Sequence, residues 1–341
     1  MNTKINSQLN TETHSVHSWQ QWELYRAVTP KTIIILLILF GFLSFSAHNT
    51  QMDKAALETS KAVLSAVGIG ESDVLDGAVK FASKAFPIQI SQRTAVNRLN
   101  EFDRNKLPLF SYTEMGEDKE YDALTETWTV EQSEFLVEPV GYLKKVLIKM
   151  LETIEMGFWG TVISIMIALP LGILASQNYT PHRFIYTFAR SWLSFHRAMP
   201  ELIIALLLVL MYGFGPIAGI LALAIHTSGV LGKFFADEIE NAPPGPQLAL
   251  ASSGAGALKV LRYAVFPHVY PAWIAYVQYI FERNIRTATV LGIVGAGGIG
   301  MELKGRWDLF DYDHVATILV AIFITVVLLE YFSQKLRKKA L

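Results

Sequence analysis

Glu282, Arg283 and Arg286 stand inside residues 272–294, an otherwise apolar stretch long enough to cross a bilayer. The rise from Pro271 to Glu282 is about 16 Å along a helix, roughly the bilayer middle. Charges at that depth are expensive, so they face protein or water and often mark a pathway. Glu282 and Arg286 are four apart and share a helical face, and Arg283 neighbours Arg286 as well. Two arginines against one glutamate leave one positive charge over. Two readings stand. The group is an ion pair that locks helices together, or its guanidinium groups line a route for an oxyanion, whose geometry the guanidinium fork matches. Arg197 and Glu201 repeat the four-residue spacing upstream, as a simple pair or as part of the same route. His226, in ALAIHTSG, lies on an apolar helix and reads first as a packing histidine, second as a ligand. Beside it, Thr227 and Ser228 bring hydroxyls able to hydrogen-bond across a helical bundle.

Other chemical motifs fail. GAGGIG at 295–300 satisfies GxGxxG and follows the strand-like TVLGIV. A dinucleotide site needs a helix opening at the third glycine within a strand–helix–strand unit. Residues 301–313 are instead short, polar and aromatic, and an apolar span follows, so the glycines read as a turn between spans. GVLGK at 229–233 has the wrong spacing for a phosphate loop, and Phe234 replaces the Ser or Thr that would hold magnesium. Any ATP hydrolysis must therefore come from another subunit, and no cofactor is expected in this chain. HExxH and GxSxG are missing, and there is no cysteine, which removes thiolate metal sites and cysteine nucleophiles. No metal site and no enzymatic activity are expected. A net charge of −1 gives no global case for nucleic acid.

These residues need elements to hold them. The chain is 52% hydrophobic and 17% charged, against about 25% charged in soluble domains. The expected class is all-α, a multi-spanning helical membrane protein with about six transmembrane helices. Residues 1–30 form a polar cytoplasmic segment and 31–48 the first transmembrane helix. It is read as an uncleaved anchor, because the preceding polar segment exceeds a usual signal-peptide n-region. Residues 49–150 form a mostly helical extracytoplasmic insert followed by an interfacial helix from about residue 140. The helical reading rests on 73–86, where Val74, Leu75, Ala78, Phe81, Ala82 and Ala85 share one face. Residues 114–126 are acidic and loop-like. A transmembrane domain follows over 151–333, with spans near 152–175, 184–212, 216–235, 272–294 and 314–332. GFGP at 213–216 breaks what would otherwise be a helix of about 48 Å, too long for a roughly 30 Å core. Residues 334–341 form a basic cytoplasmic tail. Six spans with the amino terminus inside place the tail and residues 237–271 in the cytoplasm.

Residues 237–271 are the longest run in the second half that cannot cross a membrane. Small residues cluster at Ala249, Ala251, Ser252, Ser253 and Gly254, and Pro267 comes thirteen positions after Gly254. This resembles the cytoplasmic coupling loop of ABC importer permeases, whose pattern is E-A-A, three residues, G, nine residues, I, one residue, L-P. Gly254, Phe266 and Pro267 fall in register, while Leu248 replaces the usual glutamate and Ala264 the isoleucine. HTSGVLGKFFADEIENAPPGP, LRYAVFPHVYP and FERNIRTATVLGIVGAGGIG resemble the phosphonate permeases of that class, and the resemblance covers residues 152–336.

The resemblance implies the type I ABC importer permease fold, like that of the methionine importers. It implies a coupling loop of helix, turn and helix set into a groove on a separate ABC ATPase subunit, which holds ATP and magnesium. Leu248, Ala249, Leu250, Gly254, Phe266 and Pro267 would carry that contact, with Leu248 and Leu250 packing where a salt bridge is usual. A periplasmic phosphonate-binding protein, a homodimeric or paralogous permease partner and a bacterial inner-membrane location are implied too. The implied cargo is a phosphonate or a related phosphorus oxyanion such as phosphite or a phosphate ester. The rivals are an ABC permease for another small solute such as an amino acid, an ATP-independent anion transporter or channel, and a membrane scaffold. The last two need no coupling loop.

Overall fold

The computed structural model describes residues 30–340, apart from 100–101, 105–106, 109 and 123–126. The expected cytoplasmic segment thus lies outside the described residues, save for Pro30. Two compact units divide after Ala78. The first holds α1 (Pro30–Asn49), α2 (Met52–Ala66) and the opening of α3 (Asp73–Ala85). α1 is a 20-residue apolar helix with no buried residue.

The second unit opens on the rest of α3 and a three-stranded antiparallel sheet. Its strands are β1 (Gln92–Ala95), β2 (Tyr112–Asp122) and β3 (Thr127–Glu138), in the order β1-β3-β2. The insert is therefore not mostly helical, because its strands take nearly as many residues as α2 and α3 do. The acidic segment from 114 is not a loop either. Its strand is paired residue for residue with β3, Glu114 opposite Phe135 and Met115 opposite Glu134. Cross-strand partners, not the strand's own polarity, decide such a segment. Phe135, Leu136 and Val137 bury the sheet's inner end.

The interfacial helix and the second span form one helix, α4 (Gly141–Leu174), whose 34 residues run about 51 Å. The expected third span, 184–212, is two helices. α5 (Arg183–Ala198) and α6 (Glu201–Tyr212) meet at a bend of 86°. Pro200 causes it, since the residue before a proline is pushed out of the helical region, and Met199 has ψ 122°. α7 (Pro216–Glu240) follows the expected break. Then come α8 (Pro244–Ser252), α9 (Ala257–Val260), a π-helical turn over Leu261–Val265 and α10 (Phe266–Ile293). The chain closes with α11 (Gly298–Asp308) and α12 (Tyr312–Ala340). α11 opens inside the expected glycine turn, but the residues before it belong to α10 and not to a strand, which removes the dinucleotide reading.

Among the described residues four helices, α1, α4, α7 and α12, are long and apolar enough to cross a membrane, and the α5–α6 pair adds a fifth if it is taken as one broken span. α10 has the length of a span, 28 residues, but is interrupted by Glu282, Arg283 and Arg286. α7 lies at the centre. It approaches α4 so closely that a Cβ on Gly160 would fall 2.8 Å from the Leu223 Cβ, and one on Gly172 2.9 Å from the Phe235 Cβ. Without water to drive association, such close packing is what holds membrane helices together.

Candidate coupling elbow and intramembrane charge cluster

The elbow starts where α7 ends. Pro243 and Pro244 stop one helix and open the next, proline being suited to a first turn that needs no amide partner. α8 has nine residues and buries none of them. It ends in a two-bond cap: the Gly254 amide donates to the Ala251 carbonyl (3.0 Å) and the Ala255 amide to the Leu250 carbonyl (3.2 Å). Gly254 has φ +82° and open space where a Cβ would stand, so backbone conformation and not crowding demands the glycine. Leu248 is 65% exposed and Leu258 on α9 is 82% exposed. Ala249 is exposed and Leu250 half-buried. Pro267 sits in the first turn of α10, and the half-buried Phe266 ring lies 5.5 Å from that of Trp273. The helix–turn–helix expected at 237–271 is therefore present.

The elbow is tied to the bundle from beneath, through contacts the sequence did not single out. The Gln247 amide donates to the carbonyls of Ala242 (3.0 Å) and Pro243 (3.1 Å) and accepts from the Tyr179 hydroxyl (2.8 Å). Burial pushes the Tyr179 phenol above its ordinary pKa, which keeps it a donor. Glu240 accepts from the Gln177 amide (2.7 Å) and from Arg190 (2.8 Å), which also reaches Asp237 (3.2 Å). Tyr276 on α10 donates to Glu238 (2.8 Å). The cytoplasmic-loop candidate is thus joined to α5, α7, α10 and the α4–α5 connection.

The charge cluster sits at the bend. Arg283 Nη2 lies 3.4 Å from Glu201 Oε1 and 3.2 Å from His226 Nε2. His226 Nε2 is 3.5 Å from Glu201 Oε2. The Met199 carbonyl, which the bend frees, is 2.9 Å from His226 Nδ1. A carbonyl only accepts and a guanidinium only donates, so this network assigns the hydrogen to Nδ1 and makes Nε2 the acceptor. His226 is therefore neither a packing residue in an apolar face nor an isolated ligand but the hub between α6, α7 and α10. Arg286 pairs with Glu282 at 2.8 Å, as the spacing predicted. Arg197 and Glu201 do not pair, because the bend between them destroys the helical register that brings residues four apart together. Arg197 has no ion-pair partner among the described residues. Glu201 balances Arg283 instead, so the expected excess positive charge within 282–286 is cancelled from another helix.

Below the cluster, the buried Asn284 amide donates to the Thr161 hydroxyl (2.9 Å), and the Thr227 hydroxyl donates to Asn284 (3.2 Å). Ser228 meets His196 Nδ1 at 3.0 Å. Thr227 and Ser228 do bond across the bundle. Asn284 was the missed member, overlooked beside the charged Glu282, Arg283 and Arg286. No group of three His, Asp or Glu residues suited to a metal occurs among the described residues.

Residues 168–338 match the family described as binding-protein-dependent transport system inner membrane component. HtxE of Stutzerimonas stutzeri, whose name assigns it to a phosphite transport system as permease, is 50% identical over 258 residues, 74% of this chain and 99% of its own. The phosphite transport system permease protein PtxC of the same organism is 40% identical, over 55% of this chain and 69% of its own. The phosphate-import permease protein PhnE of Mycolicibacterium smegmatis is 42% identical, over 55% of this chain and 35% of its own. Among solved structures, the inward-facing MetNI methionine ABC transporter matches 57% of this chain and 96% of that chain with a TM-score of 0.52 at 18% identity. That likeness gives the fold, a type I ABC importer permease fold embedded in a membrane. By family match and by near full-length identity to a permease, this chain belongs to the binding-protein-dependent transport system inner membrane components.

Proposed function

We propose that this chain is the permease subunit of an ATP-driven importer for a phosphorus oxyanion, working in a bacterial inner membrane with a separate ABC ATPase. The observation that carries the coupling half is α8. It is a capped helix with every residue out of the core, anchored from beneath by Gln247, Glu238 and Glu240. A nine-residue helix in water is marginal by itself. Its caps and anchors make it a rigid handle, and its exposed leucines suit an apolar groove on the ATPase. The relatives' names, phosphite and phosphate among them, support the cargo class.

In this reading a periplasmic binding protein delivers the anion to the space between two permease chains, identical or paralogous. ATP binding draws the ATPases together and α8 follows. Gln247 and the Glu238 and Glu240 contacts carry the displacement into α5, α7 and α10 as a rigid-body swing. The passing oxyanion meets Arg283, whose guanidinium is held among the described residues by Glu201 and His226 at 3.2–3.4 Å. Exchange of one acceptor for another at Arg283 keeps the charge balanced and the affinity low, as release requires. Arg286, 45% exposed, offers a second contact.

The test is reconstitution with the ATPase and the binding protein in proteoliposomes. Loaded binding protein should stimulate ATP hydrolysis and drive uptake of labelled phosphite or methylphosphonate. A cysteine placed at Leu248 should react with an impermeant maleimide only from the cytoplasmic side. Labelling from the outer side would end the coupling assignment.

A further inference from the structure

A second cationic site lies apart from the Arg283 cluster, between α5 and α7. Arg190, Ser194 and Arg197 recur at four- and three-residue steps and so share one face of α5. α5 and α7 pack tightly here. A Cβ on Gly229 would fall 2.6 Å from the Leu193 carbonyl, and one on Gly232 2.4 Å from Leu193 Cδ2. The two glycines thereby bring Lys233 of α7 to the same face. Arg190, Ser194, Arg197 and Lys233 line one cavity of about 70 Å³, with Ala175 and Ala236 among its walls and no acidic side chain in its lining. That volume is several times the roughly 10–15 Å³ that admits one water.

The three cations are not equivalent. Arg190 is neutralised by Asp237 and Glu240. Arg197 and Lys233 have no hydrogen-bonding or ion-pair partner among the described residues. Arg197 is exposed and Lys233 half-buried, and two unpaired like charges around one small space repel each other and lack counter-charge. An anion entering the cavity removes that penalty. A carboxylate brings one charge and two oxygens. A phosphate group brings up to two charges and oxygens in three or more directions, which an ammonium, a guanidinium fork and a hydroxyl can meet together.

We propose that this cavity is an oxyanion site that binds one phosphate or phosphonate group through Arg197, Lys233 and Ser194. It deepens the permease reading, and rests on that reading only where the ligand is taken to be cargo. The same chemistry is offered by the phosphate of an anionic lipid, and the experiment separates the two. Lys233 comes from the GVLGK segment that fails as a nucleotide loop. In this site it needs no magnesium partner, so the phenylalanine at 234 is no obstacle.

The permease–ATPase complex, in nanodiscs of phosphatidylcholine alone, is assayed for retention of radiolabelled inorganic phosphate. Cargo-type binding predicts retention by the wild type and a loss of about tenfold or more in R197M/K233M, about 1.4 kcal/mol. R197K/K233R, which keeps both charges, should retain phosphate, and so should K304M, which removes an exposed cation outside the cavity. Lipid-type binding predicts instead that discs containing phosphatidylglycerol lose phosphate retention, and that phosphatidylglycerol co-purifies with the wild type but not with R197M/K233M. The proposal is overturned if the wild type retains neither ligand, if R197M/K233M retains both as well as the wild type, or if K304M abolishes retention. Hydrolysis stimulated by the binding protein is read on the same discs. Normal stimulation without retention overturns the site alone, and retention without stimulation overturns the importer reading alone.

Discussion

α8 buries none of its nine residues, whereas α7 buries more than half of its 25, among them His226, Thr227 and Ser228. One helix turns leucines outward, and the other, the more apolar of the two, takes three polar side chains inward with it. Each feature runs against elementary burial energetics. In α7 the conflict is resolved internally, since each of those side chains has a partner on another helix or on its own turn. In α8 it is not resolved within the chain at all. Leu248 on α8 and Leu258 on α9 stay largely exposed, as a surface offered to the proposed ATPase groove would. The contrast predicts that changes in the elbow damage coupling and spare stability, while changes in the bundle damage both.

The largest effect should come from Gly254→Val. At φ +82° a β-branched residue costs about 1–2 kcal/mol or more and undoes the cap that ends α8. Nothing in the core touches this position. Uptake in proteoliposomes should fall by about tenfold or more, while the thermal unfolding midpoint of the permease stays put. A midpoint that falls in step with uptake would erase the distinction between elbow and bundle.

Next in size is the Glu201–Arg283 contact, which tests the inward side. Arg283→Met strands Glu201 beside His226, and Glu201→Gln strands Arg283. Each single change should lower both uptake and the unfolding midpoint. The double change should cost less than the sum by about 1 kcal/mol or more, because one loss already includes the other. Strict additivity in that cycle would mean the two groups do not interact. Arg286→Met should be milder, since Glu282 shares its own helix and Arg286 is 45% exposed.

These regions were unequally legible from sequence. The elbow was readable because prolines 243, 244 and 267 and Gly254 punctuate it, and each fixes the backbone locally. The Glu282–Arg286 pair was readable because it needs only one unbroken helix. Arg197 and Glu201 have the same spacing and were misjudged, because the rule holds only without a break and Pro200 provides one. Phe184 to Tyr212 passes as a single span because the strongly apolar half after that proline outweighs the amphipathic half before it. Strand β2 was hidden differently. Its pairing partner lies beyond residue 126, and an acidic strand looks like a solvated loop until the partner is known. Asn284, too, shows its purpose only when α4 and α7 are placed beside it.

Asn284→Ala comes third. It removes the link from Thr161 on α4 to Thr227 on α7, both buried. Hydrogen bonds between membrane helices average about 0.6 kcal/mol and reach roughly 1.7. Both threonines keep a backbone carbonyl on their own turn, so the loss should stay near 1 kcal/mol, seen as a lower unfolding midpoint in detergent. Uptake per folded molecule should change little. A large loss of uptake with unchanged stability would move Asn284 from scaffold to pathway.

The smallest effect separates packing from charge at the far end of α4. Burial alone would raise the Glu302 carboxyl, but hydrogen bonds from Lys145 (2.9 Å) and Arg306 (3.2 Å) outweigh it and hold its pKa below the usual carboxylate value. The folded state therefore binds fewer protons than the unfolded one in acid, and stability rises with pH across that window. The contribution is full above the ordinary carboxylate range and fades as pH falls through the lowered value. Glu302→Gln keeps an acceptor oxygen and loses the charge, so near neutral pH it should cost below about 1 kcal/mol, as for other part-exposed pairs. Unfolding midpoints measured from neutral to acid pH should converge for wild type and variant. If the gap instead stays constant through that range, Glu302 acts through shape and hydrogen bonding, and its charge contributes nothing that the two cations around it read.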